Sequence, residues 1–572
     1  MKREYRFKRA LRATFITLFA TIALTGAKGQ LAPETKERID EIFIAWDTAW
    51  TPGVAVAVVH DGNLVYSNGY GLANLEYDIP VTPTTVFHIA SVSKQFTTFA
   101  ILLLEREGKL SLDDEVQKHI PELADFGVPV TLRQMAHNTS GLRDQWNLLG
   151  MAGWRLDDVI TTDQVLRLLS RQRELNFTPG DQYMYSNTGF TLLAEVVARV
   201  SGQSFAEFTK ENIFDPLGMD NTLFYDDHRR IVRNRAYSYG RSGDGYNKRV
   251  LSYATVGATS LFTTVEDLAL WALNFENPIV GDHEVIEKMN RRGIFNNGRE
   301  GNYALGQSIG TYRNLNMISH GGADAGYRSF FARFPDQRTS VIVFSNDASF
   351  NSNRMAMRVA SVVLEDHIED TPPREEREER EIPEGVKLPQ ATLERYTGHF
   401  MLQPDNYAII TLDDDTLYYH TTSNRRRTSL IPLSDTEFIT ETGGSRINFE
   451  TDRRGEPVRL ILRPNRDSVT AERVEPFIPE EADLDQYTGE YYSQELDITY
   501  ILTVSEGRDG NRRLTANHVR LGTMTMSPLT PDHFSAGQWF INRVTFIRDE
   551  NGEINGARMS GSRVRNLWFE KR

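Results

Sequence analysis

Ser91-Val92-Ser93-Lys94 sets a hydroxyl and an amine three residues apart, and on a helix that spacing brings both to one face. A lysine in an apolar setting loses its charge readily and can accept or relay a proton, which activates a serine beside it. The N–H groups at a helix start add partial positive charge for a developing oxyanion. Ser93 points off that face and reads as structural. Tyr185-Ser186-Asn187 supplies a phenol that a nearby ammonium would hold partly ionised for proton shuttling. Its Asn187 offers an amide to a substrate carbonyl or to Lys94. His320-Gly321-Gly322-Ala323, after the apolar pair Met317-Ile318, reads as a strand whose glycines admit a substrate backbone and expose N–H groups. His320 would add a donor or partial charge opposite the serine. Singly, each motif has a plainer reading: a capped helix start, a core tyrosine before an N-capping serine, a histidine in a turn.

The remaining composition narrows the chemistry. The 572 residues contain no cysteine, which excludes disulfides, thiol nucleophiles and Cys-ligated metal sites. No metal motif stands out, so the reactive groups are hydroxyls and no cofactor is implied. The formal charge of −14 gives no basic excess for nucleic-acid phosphate. The expected partner is a small-molecule or peptide substrate, and a homodimer is a compatible assembly. Residues 1–27 read as a secretory signal peptide. Lys2, Arg3, Arg6, Lys8, Arg9 and Arg12 precede the apolar stretch Ala13–Thr25 and small residues around Ala27. That stretch is shorter than the ~20 residues of a membrane span. Cleavage removes six basic and one acidic side chain and deepens the charge to −19. The product is expected to be exported, periplasmic or extracellular, with no membrane span.

Elements that could position the reactive groups lie in residues 28–370. Gly53–Val59, Asp61-Gly62 and Leu64-Val65-Tyr66 read as a β-hairpin. Ala90–Glu107 is apolar on nearly every face, as in a buried central helix. Thr188–Val200 is a second helix, stopped by Ser201-Gly202. Gly326–Asp347 carries two strands around Pro335–Arg338, and Asn353–Asp366 an amphipathic helix. The expected fold is α/β (α+β), an antiparallel sheet flanked by helices.

Residues 371–390, with Pro372, Pro373, Pro383, Pro389 and the charged run Arg374–Glu381, read as a linker. Strand and turn signals dominate beyond it. Leu393–Phe400 recurs as Leu484–Tyr491, and Phe449, Asp452, Gly455 and Glu456 match Phe546, Asp549, Gly552 and Glu553 in identical spacing. Two duplicated all-β antiparallel barrels, 391–475 and 480–572, are the simplest account. A single two-sheet domain is the alternative. Pro476 and Pro479 separate the copies, and Arg425-Arg426-Arg427 reads as a solvated turn.

In this order, S-x-x-K, Y-x-N and [K/H]-x-G resemble the penicillin-recognising serine hydrolases. The histidine in the third motif makes the chain similar to the class C-like branch of D-aminopeptidases, DD-peptidases and esterases. His137–Leu142, Pro216–Met219, Leu261–Thr264 with Glu266-Asp267-Leu268, and Gly326-Tyr327 agree in order over about residues 34–370. The resemblance implies a beta-lactamase/transpeptidase-like domain, followed by two eight-stranded, lipocalin-like barrels. It further implies Ser91 as acylated nucleophile, with general-base and general-acid work shared by Lys94 and Tyr185. Asn187 and His320 would orient substrate along Gly322, and the N–H groups of Ser91 and Ala323 would form the oxyanion hole. The implied substrate is a D-amino-acid peptide or amide, with carboxylester hydrolysis or weak beta-lactamase activity as alternatives. Two departures stand out. Histidine in place of lysine weakens carboxylate binding, and Gly257-Ala258-Thr259-Ser260 replaces the glycine pair expected before Leu261.

Two rival readings remain. Gly306-Gln307-Ser308-Ile309-Gly310 fits the G-x-S-x-G nucleophile elbow, but the residues after it read as turn and strand rather than helix. A non-catalytic binding or sensing protein for peptidoglycan fragments or a small ligand is the other, disfavoured by the intact reactive set.

Overall fold

The computed structural model describes residues 31–48, 50–368, 385–403, 406–422, 427–441, 445–463, 468–474, 484–507 and 510–572. The leader, most of the linker, Arg425-Arg426 and Pro476–Pro479 lie outside the described residues.

Alternating burial of a valine-alanine run builds the centre. Strand β1 (Val54–His60) sends Val54, Val56 and Val58 to one face of the sheet and Ala55, Ala57 and Val59 to the other, the period-two signature of a strand covered on both sides. Asp61 and Gly62, both at positive φ, turn the chain into β2 (Asn63–Tyr70). Strands β3 (Ser308–Tyr312), β4 (Leu315–Asp324), β5 (Tyr327–Phe334) and β6 (Thr339–Ser345) complete an antiparallel sheet of order β3-β4-β5-β6-β1-β2. Helices α1 (Pro33–Phe43) and α6 (Ser352–Val363) cover one face. On the other lie α2 (Lys94–Arg106), α3 (Gln145–Met151), α4 (Asn187–Ser201) and α5 (Val265–Glu276). Every residue of α2 from Lys94 to Leu104 is buried, as its all-round apolar pattern requires. Gly202 at φ +75° ends α4 as a left-handed cap.

The two C-terminal copies fold alike in detail. Leu393 and Tyr396 are buried, as are Leu484 and Tyr487, and each tyrosine hydroxyl donates across its barrel, to Asp435 O at 2.6 Å and to Asp532 Oδ1 at 3.0 Å. The paired turns match too, with Asp452 N–H donating to Glu456 O and Asp549 N–H to Glu553 O. Eight strands between Gly398 and Val474 close into a barrel. The second copy differs from the eight-stranded expectation. Its nine strands between Gly489 and Lys571 pair first to last through Tyr491 and Lys571. They leave a seam between Gly522–Thr525 and Ser527–Thr530, with buried Met526 between the two.

This second copy packs directly on the helical layer. Tyr500 donates to Met151 O at 2.7 Å, and buried Arg143 pairs with Glu495 at 2.8 Å. A Cβ at Gly153 would lie 2.0 Å from the His518 ring, so only glycine permits that approach. Among the described residues no helix is long and apolar enough to cross a membrane.

Candidate active site

Ser91 sits on a short, strained turn. Ala90 adopts φ +48°, a left-handed conformation that costs a non-glycine residue about 1 kcal/mol. Ala90–Ser93 then form one 3₁₀ turn before α2 begins at Lys94. In a 3₁₀ turn residues three apart eclipse, so the S-x-x-K pair is stacked more directly than on the α-helix expected from its spacing. The Lys94 Nζ to Ser91 Oγ distance is 3.1 Å. Ser93 is structural: its hydroxyl donates to Ala90 O and accepts from Leu261 N–H.

Lys94 is fully buried. Besides Ser91 its amine contacts Asn187 Oδ1 at 2.9 Å and Ala258 O at 2.7 Å. Both of those are pure acceptors and claim two N–H bonds, so in a neutral amine the remaining tetrahedral direction is a lone pair aimed at Ser91. Burial lowers the Lys94 pKa to about 7, with Asp324 and Asp144 pulling it up and Arg563 pushing it down. A neutral fraction therefore exists near pH 7.

Asn187 is clamped. Its backbone N–H and Nδ2 both donate to Asp144 Oδ2, at 2.7 and 2.8 Å, which fixes Oδ1 toward Lys94. Asp144 itself caps α3 through Trp146 N–H. Asn138 Oδ1, from the His137–Leu142 stretch, accepts Ser186 N–H at 2.9 Å and holds the Tyr185 segment.

Burial bears on two of the expected roles. Burial raises the Tyr185 pKa, and the hydrogen bond with Ser91 and the charge of Arg563 oppose it only in part. The phenol keeps its proton and stands as a donor rather than a partly ionised base. Ring nitrogens of His320 are both in use: Nδ1–H donates to Gly321 O at 2.7 Å, and Nε2 accepts from Tyr303 at 3.0 Å. Burial, then the charge of Lys94, lowers the His320 pKa to about 3. His320 is thus neutral, with no free donor for a substrate.

Beyond Ser319, β4 has no β3 partner, so His320–Asp324 form a bare edge. A Cβ at Gly322 would meet Ile89 O at 2.2 Å and Ser329 Oγ at 2.3 Å; this glycine lets the strand press on the serine turn. Ser91, Tyr185, Asn187, His320, Gly322 and Ala323 line one cavity of about 710 Å³. At the foot of the edge, Asp324 accepts from Thr259 Oγ1, and burial raises its pKa. The 257–260 departure is accommodated by strain: Ser260 holds φ +71° beside Gly257 at φ +94°, where a glycine pair would be relaxed.

Sequence reasoning missed four contributors. Ala258 acts through a carbonyl, which no side-chain motif reports. Asp144 lies two residues past the quoted His137–Leu142 stretch, and Tyr303 sits in a loop without pattern. Arg563 arrives from the C-terminal sheet, lining the same cavity with its guanidinium 4.9 Å from the Tyr185 ring centroid. Ser308 of the rival motif is exposed at the start of an edge strand, with no helix following. Among the described residues no group of three or more His, Cys, Asp or Glu could hold a metal ion.

Residues 39–364, more than half of the chain, match the Beta-lactamase family. The chain belongs to that family. It is 27% identical over 411 residues to Penicillin-binding protein 4* of Bacillus subtilis, covering 69% of this chain and 89% of the relative. A D-aminopeptidase of Cereibacter sphaeroides is 25% identical over 544 residues, covering 91% and 95% of the two chains. The octameric penicillin-binding protein homologue from Pyrococcus abyssi has the same fold, with TM-score 0.54 and 24% identity over 76% of this chain and 99% of that one. These Beta-lactamase family relatives support a serine hydrolase of D-aminopeptidase or DD-peptidase type.

Proposed function

We propose that this protein hydrolyses an amide or ester through an acyl-enzyme on Ser91, with a D-configured amino-acid amide or peptide as substrate. The observation that carries the reading is the buried Lys94 amine, 3.1 Å from Ser91 Oγ and fixed by two acceptors. Neutral Lys94 takes the Ser91 proton as Oγ bonds to the carbonyl carbon. The tetrahedral oxyanion is received by the N–H groups of Ser91 and Ala323. Protonated Tyr185 gives its proton to the leaving nitrogen or oxygen and recovers one from the Lys94 ammonium, which holds the proton taken from Ser91 and lies 4.8 Å from the Tyr185 ring centroid. Water then attacks the ester, loses its proton to the same amine, and frees the acid. Asn187 positions Lys94. The D-configured substrate is supported by the D-aminopeptidase and penicillin-binding relatives. A neutral His320 counts against strong beta-lactamase activity, and the intact proton relay counts against a purely binding role.

The same reading places the product outside the cytoplasm, on the strength of residues 1–27, with the catalytic unit in 28–370 and the barrels in 391–475 and 480–572. A fluorophosphonate probe with Ser91→Ala and Ser308→Ala tests the nucleophile. Labelling is expected to vanish in the first and persist in the second, and label retained by Ser91→Ala refutes the assignment. Hydrolysis of D- and L-aminoacyl anilides, p-nitrophenyl butyrate and a chromogenic cephalosporin ranks the substrate classes.

A further inference from the structure

We propose that Arg563, supplied by the C-terminal sheet, is the anion anchor of the substrate cavity, so that the preferred substrate carries a carboxylate within a residue or two of the scissile bond. This rests on the reading of Ser91 as nucleophile and sharpens the substrate class.

The guanidinium is placed but not consumed. Arg563 lies in the loop between the strands Ile554–Ser560 and Leu567–Lys571. Its side chain is 40% exposed, and its one ion pair among the described residues is a long one, 3.9 Å to Asp144. That carboxylate is already spent on three N–H groups, from Trp146 and Asn187. Guanidinium donors are therefore available to the cavity that Ser91 lines. Lys94 and Arg563 approach the same Tyr185 ring, at 4.8 and 4.9 Å from its centroid. The amine and the guanidinium are thus at most about 10 Å apart, so a short peptide with its scissile carbonyl at Ser91 can reach Arg563.

The loop is rigid without this side chain. The Arg563 carbonyl accepts Asp144 N–H at 3.1 Å and Asn176 Nδ2 at 3.0 Å, and Arg565 N–H donates to Asn176 Oδ1 at 2.8 Å. A Cβ at Gly561 would lie 2.1 Å from Phe540 O, which leaves little play. Docking is done by the backbone, and the side chain is free for a ligand.

Charge around the cavity favours an anion. The third-motif histidine is neutral with both nitrogens engaged, so the sequence's loss of a lysine there removes the nearest cation for a carboxylate. Arg563 supplies one to the same cavity from the C-terminal sheet. Arg328 on β5 adds a second positive charge to the lining. Of the two carboxylates nearby, Asp144 already accepts three hydrogen bonds and Asp324 is bound by Thr259. A guanidinium takes a carboxylate through paired, charge-assisted hydrogen bonds.

Calorimetric titration of the full chain carrying Ser91→Ala tests the anchor without turnover. The probes are N-acetyl-D-alanyl-D-alanine and its C-terminal amide. The acid is expected to bind about tenfold tighter than the amide. Adding Arg563→Ala should bring the ratio to near one, and Arg563→Lys should restore part of it. A purely structural role would weaken both probes equally and leave the ratio intact. An unchanged ratio in Arg563→Ala, equal binding of acid and amide to the parent, or no binding of the acid overturns the proposal. Fluorophosphonate labelling that persists in Ser91→Ala would instead overturn the nucleophile while leaving this ratio standing.

Discussion

Gly322→Ala should disable the site without unfolding it. The added methyl would sit 2.2 Å from Ile89 O and 2.3 Å from Ser329 Oγ. A carbon and an oxygen come no closer than about 3.3 Å without repulsion, so β4 must move about 1 Å away from the serine turn. Ile89 O is backbone and cannot swing aside, and Ala90 after it already holds a left-handed φ of +48°. A displacement of that size between nucleophile and oxyanion donors costs about 100-fold in kcat, equivalent to about 2.7 kcal/mol of barrier. Overpacking would take a further 1–3 kcal/mol or so from stability. Gly321→Ala is the paired comparison: its methyl would meet the Phe330 ring at 3.4 Å and Ser329 O at 3.8 Å, both ordinary contacts, and should cost threefold or less by the same reasoning. Ester hydrolysis and fluorophosphonate labelling rates, with thermal melts of both variants, make the measurement. Equal activities in the two variants would refute the claim that β4 is held against the turn at position 322.

The pH dependence of kcat/KM should rise through about 7 and flatten above it, because Lys94 at about 7 must lose its proton to act as base. Asp324→Asn removes a charge that raises that pKa and should move the limb to lower pH; a profile flat from about pH 5 to 9 would exclude Lys94 as the titrating base. Glu495→Ala leaves buried Arg143 with Glu174, at 3.1 Å, as its one ion pair among the described residues, beside neutral acceptors on Arg565 and Gln172, and should cost about 3 kcal/mol. The urea midpoint reads that loss, and a change below about 1 kcal/mol would place the docking energy elsewhere. Activity should fall with it, since Arg143 adjoins Asp144.

Local patterns made much of this molecule legible. The two-faced Val54–Val59 run, the Asp61-Gly62 turn, the Gly202 cap and the matched Leu393 and Leu484 segments each carry their structure in a few neighbouring residues. The pairing of Ser91 with Lys94 was readable for the same reason. Protonation was not, because it is set by burial. Nothing in Tyr185-Ser186-Asn187 tells that the phenol is enclosed, and nothing near His320 announces Tyr303. Contacts across great chain separations were invisible as well. Asn187 meets Asp144 over 43 residues, and Arg143 meets Arg565 O over 422. The break at Met526, which gives the second barrel copy its ninth strand, is a matter of strand pairing that local propensity does not encode.

The docked 561–566 loop also has a meaning in time. The central sheet is complete once Ser345 has emerged, whereas the loop that faces Ser91 follows more than 200 residues later. At about 5–20 residues per second of synthesis, that is a delay of about 10–40 s, lengthened by the slow closure of distant contacts. During that interval the segment carrying Arg143, Asp144 and Met151 lacks its partners Glu495, Arg563 O and Tyr500. A chain interrupted before this loop would never gain those partners.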